Sequence, residues 1–258
     1  MSENLSRRDL IFAAAAFVSI AHPSAARTYS GAVPWTAGLA DSPEASWEGE
    51  LRFFTRAEAA FIDAAVARLI PADHLGAGAK EAGVTTFLDR QLAGPYGRAE
   101  RWYMQGPWQN GTKSQGYQSR LSPAELYRVA IKGIDQHCGQ VFGGKVFADL
   151  SHEQQDEILT DIEKGKLKIT DIGPHPLEIE ASTSPDSDTF FAVLMQNTIE
   201  GFFSDPLYGG NREMIGWKLI GFPGAHYDYR PYVAKHGEKL DLLPVGIRGR
   251  PAWDDGHS

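Results

Sequence analysis

One cysteine, Cys138, in a chain of 258 residues excludes several chemistries at once. No intrachain disulfide can form, so stability has to come from packing even in an oxidising compartment. Haem attachment through Cys-x-x-Cys-His needs two cysteines and is excluded as well. Cys138 lies beside His137 at the end of an apolar helical pattern, and reads as a small buried hydrophobe in preference to a nucleophile or an interchain bridge. Positive charge is also in deficit. The 25 Lys and Arg against 33 Asp and Glu leave a formal charge of -8, which argues against nucleic acid and anionic lipid as partners. Alternating β-branched runs long enough for a sheet are missing, as are internal repeats, so the fold class is all-α.

Motifs for bound groups are scarce too. The histidines beyond residue 26 stand at 74, 137, 152, 175, 226, 236 and 257, and none has a neighbour at a spacing that holds zinc. A di-iron bundle needs two Glu-x-x-His helices, and Asp149 to His152 is one mismatched copy. The hydrolase elbow Gly-x-Ser-x-Gly is absent. Gly139, Gly144 and Lys145 have P-loop spacing, but Val146 stands where a hydroxyl should hold magnesium, and the segment follows a helix; a helix-terminating turn explains it better. Gly76, Gly78 and Gly83 lack both the dinucleotide-binding spacing and a preceding strand. Among the acids, Asp228 between two tyrosines and Glu200 and Asp205 around Phe202-Phe203 are candidates for catalysis, with caps, turns and ion pairs as the commoner use of such residues. No catalytic, cofactor-binding or metal-binding residue is assigned.

What the chain does carry begins at its start. Arg7 and Arg8, in Ser6-Arg7-Arg8-Asp9-Leu10-Ile11, precede an apolar run from Leu10 to Ile20, the pattern of a twin-arginine export signal. The run is shorter than a bilayer-spanning helix, and Ser24-Ala25-Ala26 predicts cleavage after Ala26. The expected location is the periplasm, reached through the twin-arginine translocase, a route for chains that have already folded. Such cargo implies a cofactor or a partner acquired beforehand. Cleavage would leave 232 of the 258 residues, enough for one large domain or two small ones.

Residues 27–50, rich in Gly, Ala, Pro and Ser, read as an extended lead-in. A helical domain is expected over residues 51–232 and a tail over 233–258. Thr55 with Glu58 forms a capping box ahead of Phe61, Ile62, Ala65, Val66 and Leu69, and Pro71 ends that helix. Phe87, Leu88 and Leu92 predict a second helix stopped by Gly94-Pro95, paired with the first as a hairpin. An aromatic loop over residues 94–121 follows. Ser122-Pro123-Ala124-Glu125 is the strongest helix start. Ser151 with Gln154 begins a helix closed by Gly165. Residues 166–187 read as loop. The helix from about Asp188 to Phe203 is apolar around much of its circumference and should be central. A short helical pattern runs through Met214, Ile215 and Leu219.

From Glu200 to Gly224 aromatics alternate with glycines. Glycine lets backbones approach closely, while Tyr, Trp and Arg supply rigid contact area with polar ends, a composition that suits a protein interface and equally a tightly packed loop. Tyr208, Arg212, Trp217 and Phe222 are the candidate partner contacts, with Tyr96 and Tyr117 as further ones. An aromatic-lined sugar site would use similar residues.

At Leu69-Ile70-Pro71-Ala72-Asp73, Gly94-Pro95-Tyr96, Gln115-Gly116-Tyr117-Gln118 and the whole stretch from Glu200 to Gly224, the chain resembles the gluconate 2-dehydrogenase subunit 3 family. That family comprises small or gamma subunits of bacterial membrane-associated flavoprotein sugar dehydrogenases. The resemblance covers about Phe53 to Tyr229. It implies a non-catalytic accessory subunit of an oxidoreductase complex, bound to a large FAD-containing partner of the glucose-methanol-choline type that oxidises a sugar or sugar acid. It further implies a multihaem cytochrome c subunit carrying haem c, association with the inner membrane through the complex, and export of a large subunit that lacks its own signal. Two other readings stay open: a free-standing periplasmic carbohydrate-active enzyme or binding protein, and a module that stabilises its partner without any export role.

Overall fold

A computed structural model describes residues 50–106, 112, 115–117, 119–167, 169, 187–226, 228–238, 240, 242 and 244–247. These all belong to a unit spanning residues 37–258. Arg7, Arg8, the cleavage site after Ala26 and nearly all of the lead-in lie outside the described residues, as do Trp108, Tyr227 and the end of the tail. Among the described residues the protein is all-α, with six α-helices and no strand; two isolated bridges, Asp73 to Gly76 and Gly224 to Val245, are the only β-type pairings. We number the helices α1 (Arg56–Leu69), α2 (Val84–Ala93), α3 (Pro123–Val141), α4 (His152–Glu163), α5 (Ser187–Phe203) and α6 (Ile215–Ile220).

The starts of α1, α3 and α4 follow directly from side-chain chemistry. Thr55, Ser122 and Ser151 each accept the N–H three residues on, and Glu58, Glu125 and Gln154 each reach back to the cap backbone. Each box pairs two N–H groups that the first helical turn leaves without partners. α3 ends in the turn expected of it: Gly143 and Gly144 take positive φ, and the Gly144 N–H donates to the Gly139 carbonyl at 2.8 Å.

α5 is the axis of the bundle and packs against all five other helices. It buries Phe190, Leu194 and Phe202, and also the polar pair Asn197 and Thr198. Phe190 meets the ring of Tyr127 on α3 edge-on at 5.4 Å, and Phe61 of α1 lies 4.7 Å from the Phe147 ring in the turn between α3 and α4. Polar contacts then set the relative placement of helices. Asp63 on α1 accepts from the Thr85 hydroxyl on α2, and Arg68 on α1 grips Asp156 on α4 through two bonds of 2.7 Å.

The segment entering α1 is fastened by a buried acid. Asp89, on α2 and only 3% exposed, accepts the backbone N–H groups of Arg52 (2.7 Å), Phe53 (2.9 Å) and Phe54 (2.8 Å). A carboxylate with three N–H donors is a compensated buried charge. Arg128 on α3 closes the same segment from the other side: it pairs with Glu58, donates to the Phe53 carbonyl and lies 4.2 Å over the Phe53 ring. No helix among the described residues is long and apolar enough to cross a membrane.

Candidate functional site

The segment after α5 is locked before it is exposed. Asn211 is fully buried in the left-handed conformation, φ 46°. Its amide donates to the Ser204 carbonyl and accepts the Gly216 N–H, both at 2.8 Å. Asparagine tolerates this backbone region better than most residues. Glu213 and Met214 follow with φ 54° and 58°, a conformation that costs non-glycine residues about 1–2 kcal/mol each. That strain persists because the surroundings dictate it. At Gly216 a Cβ would stand 2.2 Å from the Phe202 carbonyl oxygen, so only glycine lets α6 lie this close to the end of α5.

The Trp217 side chain then fixes α6. It is only 6% exposed, and its indole N–H donates to the Phe203 carbonyl at 2.8 Å. Trp217 therefore holds the scaffold up from beneath, and the Phe222 ring meets it edge-on at 5.2 Å. Of the residues singled out for contact, Tyr208 and Phe222 are 47% and 45% exposed. Arg212 is exposed as well, but its guanidinium donates to the Thr86 hydroxyl at 2.9 Å while its stem crosses Gly83 on the way. Leu219, part of the short helical pattern expected here, and its neighbour Ile220 were not among the candidate contacts, and on α6 they are 46% and 61% exposed.

Tyr96 and Tyr117 lie half-buried in a different cluster. The Tyr117 hydroxyl donates to the Leu121 carbonyl at 2.7 Å, its ring lies 5.1 Å from Trp102, and Trp102 lies 5.8 Å from Tyr96. The Tyr96 hydroxyl meets the side chain of Asn197, whose amide also donates to the Tyr127 hydroxyl at 3.0 Å. Burial pushes the Tyr117 phenol up to about 12 and holds Tyr127 and Tyr96 above their usual range. Asn197 is the joint of this network.

The acids weighed as catalysts are engaged otherwise. Asp228 takes two bonds from the Arg230 guanidinium, at 2.8 and 2.7 Å, and these hold its carboxyl at about 2. A general acid working near neutral pH needs the opposite displacement. Asp205 caps the turn at Pro206–Tyr208 by accepting the Leu207 N–H at 2.9 Å, and Glu200 accepts from Gln196 on its own helix. Cys138 is fully buried, and burial pushes its thiol up to about 12. No group of three His, Cys, Asp or Glu side chains that could hold a metal ion occurs among the described residues.

Fold and site together define a helical scaffold that presents a braced aromatic and glycine-rich loop face at its surface. A family model of gluconate 2-dehydrogenase subunit 3 matches residues 56–224, and the chain belongs to that family, whose members are subunits of a dehydrogenase complex. No curated protein and no solved structure matches the chain. The matched segment runs from the first residue of α1 to Gly224, and so contains both aromatic clusters.

Proposed function

We propose that this chain is the non-catalytic small subunit of a periplasmic gluconate 2-dehydrogenase-type complex, and that it carries a folded flavoprotein subunit through the twin-arginine translocase. The observation that carries the proposal is the pairing of Arg7-Arg8 and their apolar run with a domain of the subunit 3 family. The signal serves folded cargo, and a dehydrogenase subunit that must take up FAD in the cytoplasm is cargo of that kind. FAD belongs to the large subunit in this reading, and haem c to a multihaem cytochrome c subunit that passes electrons towards quinone. Oxidation of a sugar or sugar acid takes place on the flavoprotein, and the complex attaches this chain to the inner membrane.

The role of this chain is then mechanical. It recognises a folded partner, supports its maturation, and lends it the export signal. A rigid loop face suits this because little of its order has to be created on binding. Replacing residues 1–26 with a general secretory signal, which exports unfolded chains, separates a carrier from a stabiliser. A carrier so altered reaches the periplasm alone and leaves the flavoprotein in the cytoplasm. Undiminished periplasmic flavoprotein with the secretory signal contradicts the proposal.

A further inference from the structure

Beyond residue 224, where the family match ends, the chain leaves the domain and returns to it. Among the described residues from 225 to 247 only Val245 and Gly246 are buried. Backbone N–H groups fasten the returning segment. The Ala225 N–H donates to the Val245 carbonyl at 2.6 Å, and the Val245 N–H donates to the Pro223 carbonyl at 3.1 Å. The Ile247 N–H donates to one carboxylate oxygen of Asp205 at 2.7 Å, while the other oxygen accepts the Leu207 N–H at 2.9 Å. One acid thus serves the turn after α5 and the returning tail together.

We propose that residues 245–247 form a releasable strap, which opens ahead of the domain and which, while closed, locks α6 and the loop face that α6 carries. Gly224 couples the strap to α6. A Cβ at Gly224 would lie 2.2 Å from the Val245 carbonyl oxygen and 2.7 Å from the Trp217 ring, so its bare Cα fits closely between the two. α6 spans only Ile215–Ile220, too short to hold a helix by itself. Its order comes from what packs around Trp217, and lifting Val245 takes away one side of that packing. The strap is separable because it buries so little. Closing the connection over residues 225–244 costs chain entropy, and none of its described residues is buried to offset that cost. Segments with few buried apolar contacts open locally, before the global transition. The strap acts on the isolated chain, whatever binds to the loop face.

The test is native-state hydrogen exchange on the isolated full chain, read amide by amide. The Ala225 and Val245 N–H groups should exchange through one common opening, about a hundredfold more often than the Ile131 N–H in the middle of α3. Asp205→Asn leaves one acceptor oxygen for the Leu207 and Ile247 N–H groups, and should raise the Val245 rate about tenfold. Val245→Asp sets a charge where the buried valine stood and should hold the strap open. In that variant the cooperative urea transition of the domain should remain. The Trp217 indole N–H and the Phe222 N–H, which donates to the Trp217 carbonyl at 2.8 Å, should each exchange about tenfold faster there. Val245 exchange as slow as that of Ile131, or loss of the urea transition in Val245→Asp, would make the tail part of the domain core and overturn the strap. Wild-type protection of Trp217 and Phe222 in Val245→Asp would show that the tail opens without unlocking α6, and would overturn the lock.

Discussion

Asn211 accepts the backbone N–H of Gly216 on its side-chain oxygen while its amide N–H₂ bonds the Ser204 carbonyl. One buried side chain thus ties the end of α5 to the start of α6 across a loop that carries three non-glycine residues at positive φ. The loop face is only as rigid as this joint.

Asn211→Ala removes both bonds and leaves a Cβ residue less suited to positive φ, so it should cost about 2–4 kcal/mol. Asn211→Gly relieves the backbone and should cost about 1–3 kcal/mol, the share of the lost bonds. Urea denaturation of the two variants measures the difference. Equal loss in both would mean that the backbone conformation contributes nothing.

Trp217 and Phe222 separate folding from recognition. Trp217 is buried and bonded to Phe203, so Trp217→Ala should cost about 3–5 kcal/mol of stability. Phe222 is 45% exposed, and Phe222→Ala should cost less than about 1.5 kcal/mol, since much of its apolar area already faces water. Urea midpoints of the isolated chain decide this without any partner present. Similar losses in both would place Phe222 in the core.

The three cap pairs, Thr55 with Glu58, Ser122 with Glu125 and Ser151 with Gln154, form as their spacing predicts, because capping is a contact between residues three apart. The apolar circumference of α5 announced its central place for a similar reason. Asp89 gave no such signal. Its partners lie 35 to 37 residues away, and nothing in a lone acid on a helix says that it will be buried. Asn197 was hidden in the same way, since its partners Tyr96 and Tyr127 meet it only once the bundle is assembled. Trp217 shows a different failure: an aromatic beside glycines suits both a contact surface and the packing beneath one, and composition does not distinguish them. For Asn211 there was a faint hint in Gly209-Gly210-Asn211, residue types that accept positive φ. The bridge between Gly224 and Val245 had none, because it is set by space and not by sequence periodicity.

Asp89→Ala leaves three N–H groups at residues 52–54 without their carboxylate and should destabilise the domain by about 3 kcal/mol. Backbone amide exchange at Phe53 and Phe54 should rise with it, because their bonds are the ones lost. Unchanged exchange at those two positions would contradict the clamp.

Alkaline pH should destabilise the protein through the groups whose protons burial holds in place, Cys138, Tyr117, Tyr127 and Tyr96 among them. The folded Cys138 thiol and Tyr117 phenol release their protons only near pH 12, against ordinary values of 9.0 and 10.0. Below about pH 9 folded and unfolded chains bind the same protons, and the contribution to stability is full. Above it the unfolded chain releases protons first, so stability declines as pH rises towards 12. Cys138→Ala should delay the onset of that decline to about pH 10, the range of the phenol. In the native protein at pH 8 the thiol should not react with a disulfide reagent until urea unfolds the chain. Immediate reaction would contradict its burial.

The most direct measurement of the proposed carrier role is the fate of the flavoprotein when Arg7 and Arg8 are both replaced by Lys in the full complex. Dye-linked dehydrogenase activity and flavoprotein antigen are followed in periplasmic and cytoplasmic fractions. Both should disappear from the periplasm together, with folded, FAD-loaded large subunit accumulating inside. Normal periplasmic activity with the paired lysines would show that the flavoprotein travels without this chain's signal.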